Sequence, residues 1–215
     1  VLLVPEKELN QFPYEFYTQK RWENWLTQVK ESGFEIKESE AEEESGKESA
    51  IFVNMVDDVI LACLKVIARY DKGVLSEEKA LEILEAIRKI VFSKLEPISE
   101  DIDLMIDSVQ NSLMGALAAF ECYVLGDYEE GENLEELIKA ALEAEESEEF
   151  QIALEFTARC GAAVLKGANL PEEIMGDLPF GLVTEWLDGI DSIAAAMVGS
   201  DSYKQFEDEG EEELS

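Results

Sequence analysis

The chain has 215 residues, 47% of them hydrophobic, and carries 50 acidic against 17 basic side chains, for a formal net charge of −33 and a pI of about 4.1. That much apolar material supports a folded core, as one domain or two small lobes, while a surface of this charge repels phosphate and excludes non-specific nucleic-acid binding and docking on an anionic membrane. The absence of histidine removes imidazole catalysis and His-dependent metal sites, and Cys63, Cys122 and Cys160, far apart and without a CxxC pair, point to reduced structural thiols.

The opening "VLLVPEKELN" lacks the basic start and the length of a signal peptide, and no apolar run reaches the roughly 18–20 residues of a membrane span. The first helix is expected after Thr18, a good N-cap, with Trp22, Trp25, Leu26 and Val29 at i, i+3, i+4 and i+7 and an end near Gly33. Six of the 19 aromatics fall between Phe12 and Trp25. Packing is the expected use of Trp22 and Trp25, with Phe16 stapling the helix start. Tyr17, Lys20, Arg21 and Trp25 form the candidate partner-docking set, since Tyr, Trp and Arg anchor interfaces.

Residues 35–48 hold seven acids, two lysines and no apolar stripe, which predicts a solvated linker over 35–49. The second helix, about 50–70, is the most apolar, with Phe52, Met55, Val59, Cys63 and Val66 on one broad face. Ser76 caps a third helix (about 76–93) with Glu77 and Glu78 in its first turn, where the helix dipole favours acids. Pro97 closes that segment and Ser99 caps a long fourth helix (99–125). The two-glycine stretch "GDYEEGEN" is a break at 126–133, and Asn133 starts a fifth, very acidic helix expected on the outer surface. The sixth, about 148–166, offers a Glu155–Arg159 pair at i, i+4 and a face of small residues. "KGANLPEEIMGDLP" reads as a connection, and the seventh helix, about 181–198, has a clean amphipathic face.

The prediction is an all-α, single globular bundle of about seven helices without a sheet. Its long central helices lie near 50–70 and 99–125, and the core is centred on the second, fourth and seventh. Residues 1–15 are an N-terminal extension and 201–215 a disordered acidic tail.

Carboxylates inside apolar helices are the candidate chemistry. Asp57 and Asp58 sit in "VNMVDDVILACLKV", and Asp107 and Glu121 lie on one polar line of the fourth helix. Such acids hold Mg²⁺ when clustered. The pattern is similar to that of all-α nucleotide pyrophosphohydrolases, which use Glu-x-x-Glu and Glu-x-x-Asp pairs. Here, however, the second pair would be Asn54-x-x-Asp57, and the first would have to come from Glu40 and Glu43 in the linker. Asn54 lacks the charge such a site needs. Asp58 is therefore expected to face water, and Asp57 to sit at the core boundary. Glu121, within "ALAAFECYVL", needs a cation, and Arg69, Arg88 and Arg159 are the candidates. A structural ion pair between helices is the expectation. "YDKGVLSEE" fails as a calcium loop because Gly73 and Leu75 stand where oxygen side chains are required.

Across "EFYTQKRWENWLTQVKESGFE", "NMVDDVILACLKVIARYDKGVLSEEKALE" and "MIDSVQNSL", from about residue 15 to 200, the chain resembles a family of acidic, helical archaeal proteins of unknown function, found in methanogens and haloarchaea. The resemblance implies an archaeal cytosolic source and supplies no catalytic residues. The reading that follows is an acidic cytoplasmic protein without a cofactor, non-enzymatic, that binds a protein partner, a basic one fitting best. An Mg²⁺-dependent carboxylate enzyme is the alternative, and self-association into a homo-oligomer through an apolar helical face is the third.

The excess charge pushes the folded chain apart, and salt screens that repulsion within roughly 8 Å at physiological strength. The unfolding temperature is therefore expected to rise between low and molar KCl, as measured by circular dichroism; a flat or falling curve would count against salt adaptation.

Overall fold

Four expected helix starts carry the caps that the sequence offers. The side-chain oxygens of Thr18, Ser76, Ser99 and Asn133 accept from the amides of Arg21, Lys79, Ile102 and Glu135 at 3.1, 3.2, 3.3 and 3.1 Å. Each removes one of the orphan donors of a helix N-terminus. The computed structural model describes residues 16–36 and 42–198, with side chains from Ser49 onward in the second segment. The N-terminal extension, the acidic tail, and residues 37–41 of the expected linker lie outside it.

The helices are α1 (Gln19–Ser32), α2 (Glu42–Asp71), α3 (Glu77–Val91), α4 (Glu100–Leu125), α5 (Leu134–Glu146), α6 (Phe150–Leu165), α7 (Glu172–Met175) and α8 (Leu182–Val198), with no strand among the described residues. Two boundaries differ from expectation. Helix α2 begins at Glu42 rather than near 50, so most of the second half of the acidic stretch is helical. Once the apolar run has nucleated a helix, adding residues at its end is inexpensive, and negative charge is favoured at the N-terminus. The connection before α8 holds the extra single turn α7, with Pro171 at its N-cap, whose carbonyl accepts from the amides of Ile174 and Met175 at 3.0 and 3.1 Å.

Helix α4 runs through the middle, packed on α2, α3, α6 and α8, and its Leu113, Leu117 and Phe120 are fully buried. The expected centre of the second, fourth and seventh helices (α2, α4 and α8) needs a correction, because α6 packs on α4 as closely as α8 does. Small residues allow it. A Cβ on Gly115 of α4 would lie 2.5 Å from the Trp186 carbonyl oxygen of α8. One on Gly189 would overlap the Ser112 carbonyl, and one on Gly161 of α6 would overlap Ala119. Three glycines thus set how closely α4, α6 and α8 approach, and close-packed interiors leave no slack for an added methyl. Helix α5 lies outside α6 and buries Leu137, Ile138 and Ala141 beneath its glutamates, as its outer placement in the sequence reading requires.

Candidate functional site

The N-terminal aromatic segment folds into a clasp on α2. Thr18 starts α1, and the helical spacing puts Arg21 and Trp25 on one side of it. Arg21 Nε donates to Asp58 Oδ2 at 2.8 Å, its Nη2 bonds the other carboxylate oxygen, and Trp25 Nε1 donates to Oδ2 at 2.8 Å. Asp58 was expected to face water. Instead its side chain keeps only 15% of its exposure, because a neighbouring helix closes over it. Tyr17 is buried beneath the Arg21 guanidinium, 5.4 Å from ring centroid to Cζ, and Phe16 lies under Arg69 of α2 at 5.3 Å. Burial, reinforced by the Asp58 charge, pushes the Tyr17 phenol well above its ordinary value, so it stays neutral. Tyr17 and Trp22 occupy the positions just before the cap and at the fourth helical residue, the places of a hydrophobic staple; the sequence reading gave that role to Phe16. Both are in the core, with the Tyr17 hydroxyl and Trp22 Nε1 lacking a hydrogen-bond partner. Of the candidate docking residues, Tyr17 is inaccessible, Arg21 and Trp25 are tied to Asp58, and Lys20 is exposed.

The four carboxylates of the metal reading do not converge. Asp58 faces α1, while Glu121 faces α3 and is held by Arg88, whose Nε and Nη2 donate to its two oxygens at 3.1 and 2.8 Å. This is the interhelical ion pair that the apolar setting of Glu121 demands, with Arg88 the partner among the three candidates. Asp107 is exposed on a groove of about 360 Å³ between the α3–α4 connection and α4, beside Lys94, Asp103 and Gln110. Asp57 is half-buried, and desolvation raises its pKa. Among the described residues no group of three or more Cys, Asp or Glu is placed to hold a metal ion. Glu40 lies outside the described residues, as does the side chain of Glu43. The three thiols are buried, and burial pushes Cys122 up to about 11 and Cys160 up to about 12. At neutral pH they are protonated and poor nucleophiles.

Arg159 was expected to pair with Glu155 along α6. It reaches instead to Glu132 in the α4–α5 connection, with Nε donating to Oε2 at 3.2 Å and Nη2 bonding Oε1, and it covers the Phe156 ring. Glu132, with only 10% of its side chain exposed, offers a more desolvated partner than exposed Glu155. Beside this pair a groove of about 370 Å³ is lined by Tyr128, Glu129 to Glu132, Ala163 and Lys166 to Ala168. There Tyr128 stacks on Tyr123 at 6.0 Å, Lys166 Nζ sits 4.9 Å from the Tyr123 ring, and the Tyr123 hydroxyl donates to Asp71 at 2.9 Å.

One pattern unites these contacts. The chain has four arginines, Arg21, Arg69, Arg88 and Arg159, and every one is engaged by a residue outside its own helix. The cations on the outer surface are therefore mainly lysines, set among many more acids. The fold and its chemistry define a class: an acidic all-α protein whose arginines are each engaged by another segment of the same chain. The chain belongs to the family of uncharacterised proteins conserved in archaea, DUF2150, whose profile matches residues 15–206. No curated protein and no solved structure matches it. No helix among the described residues is long and apolar enough to cross a membrane.

Asp57 supplies a test. Its raised pKa means the folded chain holds the proton to higher pH than the unfolded chain, so ionising it costs stability as the pH climbs above the ordinary aspartate value. Asp57→Asn is expected to raise the melting temperature at pH 7 by about 1–2 °C, after allowance for solvent screening, with the difference closing by pH 3, where both side chains are neutral. A lowered melting temperature at pH 7 would mean that the carboxylate serves a charged partner.

Proposed function

We propose that the protein is a non-enzymatic, cytoplasmic interaction protein that binds a basic protein partner. The observation that carries this reading is the disposition of charge: four arginines held in internal contacts within a chain of net charge −33. A surface of that sign steers a basic partner toward it and rejects nucleic acid, with association slowing as salt rises. The rival reading, an Mg²⁺-dependent enzyme built on Asp57, Asp58, Asp107 and Glu121, is opposed by Arg21 and Arg88, which already neutralise Asp58 and Glu121.

Two measurements test the reading together. Affinity capture with the full chain, from the cells that make it and at their own salt, is expected to recover a stoichiometric basic protein whose retention falls as KCl rises. Recovery of acidic partners alone would refute it. Calorimetric titration with Mg²⁺ is expected to show no saturable micromolar binding; binding that is lost in Asp57→Asn would establish the rival.

A further inference from the structure

Phe180 is the most exposed apolar side chain described, at 97% of its full accessibility. Leaving a phenylalanine ring in water forgoes the favourable burial of its apolar surface, so its place in the fold matters. The backbone around it is fastened. Thr184 Oγ1 donates to the Pro179 carbonyl at 2.5 Å, and Glu145 Oε1 of α5 accepts from the amides of Leu182 and Val183 at 2.6 and 3.3 Å. Gly181 is seated on the same carboxylate, where a Cβ would come within 2.8 Å of Oε1. Glu145 thus caps α8 from another helix and fixes the corner from which Phe180 projects, while Leu178 and Leu182 on either side pack against the core.

The α5–α6 corner meets the same turn. The Glu149 amide donates to the Ala144 carbonyl at 2.8 Å, and α6 then opens with Phe150 and Ile152, exposed at 45% and 42%. Both corners are therefore tied to the last turn of α5. Neither stretch carries a cation of its own: residues 140–158 and 167–198 contain no lysine or arginine and six acids each. Glu146, Glu148, Glu149 and Asp177 are exposed.

We infer that these two corners form a docking surface for a basic amphipathic segment of a partner protein, with Phe180 as its apolar anchor. The inference rests on the reading of the protein as a binder of basic partners and names the surface. Apolar rings set among acids match a segment that carries aliphatic side chains between lysines or arginines. A second copy of the chain would bring the same acids to face these, so like charges oppose it. A ring held out on fastened backbone also loses little freedom on binding, which favours affinity.

The test uses the full chain and two synthetic 18-residue peptides of equal positive charge. One is an amphipathic leucine–lysine helix, and in the other every leucine is replaced by glutamine. In 0.3 M KCl the leucine–lysine peptide is expected to bind at least tenfold more tightly than its control, by fluorescence anisotropy. Phe180→Ser is expected to abolish most of that difference. Val74→Ser, at another exposed apolar site, is expected to preserve it. If Phe180→Ser binds the leucine–lysine peptide like the unaltered chain, the surface is wrong while the basic-partner reading stands. If neither peptide binds, that reading itself fails. Sedimentation showing a dimer that Phe180→Ser dissociates would assign the surface to a second copy and overturn the proposal.

Discussion

Four guanidinium groups tie together a chain that its own charge drives apart. Arg21 fastens α1 to α2, Arg69 receives the segment leading into α1, Arg88 joins α3 to α4, and Arg159 pins the α4–α5 connection to α6. Arginine suits the task better than lysine. Its planar fork bonds both oxygens of a carboxylate and lies on aromatic faces, and it is more weakly hydrated than an ammonium group. Asp58, Glu121 and Glu132 are the acids chosen, each with less than a third of its side chain exposed. Lysines pair mainly along the surface of a single helix, as in Lys79–Glu82 and Lys89–Glu85, where such bridges contribute little.

Beneath these contacts the bundle is held by close approach. Gly115, Gly161 and Gly189 let α4, α6 and α8 meet backbone to side chain, and the fully buried Phe120, Leu117 and Leu187 fill the space around them. The two levels divide the work. Apolar packing stabilises the centre, while the arginines fasten the peripheral segments α1, α3 and the α4–α5 connection. Glu145 extends the same logic without a cation, since its carboxylate satisfies the start of α8 and leaves the Phe180 corner fixed.

Local signals were readable from the amino-acid sequence. The caps at Thr18, Ser76, Ser99 and Asn133 depend on residues within three positions, and the stripes of α2 and α4 repeat at the helical period. What went astray depended on the tertiary fold. Asp58 looked solvent-facing on its own helix because nothing in α2 reveals that α1 covers it. Arg159 had an i, i+4 partner in Glu155, yet a more buried acid from a distant connection prevailed. The start of α2 was misplaced because an acidic segment without a stripe resembles a linker, although a strong helix beside it can extend through it. Glu121 was legible because an acid within an apolar stretch demands a cation and the chain has few. Phe180 was missed: a lone ring in the Pro/Gly-rich "DLPFG" has no periodicity to place it, and only its contrast with the partly buried Leu178 and Leu182 marks it.

The arginine contacts act as net structural bonds rather than incidental surface pairs. The direct measurement is a double-mutant cycle on Arg88→Ala and Glu121→Ala by urea denaturation, at low and at molar KCl. A coupling of about 1–2 kcal/mol that survives in high salt is expected of this partly desolvated bidentate pair. A coupling near zero, or one that vanishes in molar KCl, would contradict that role.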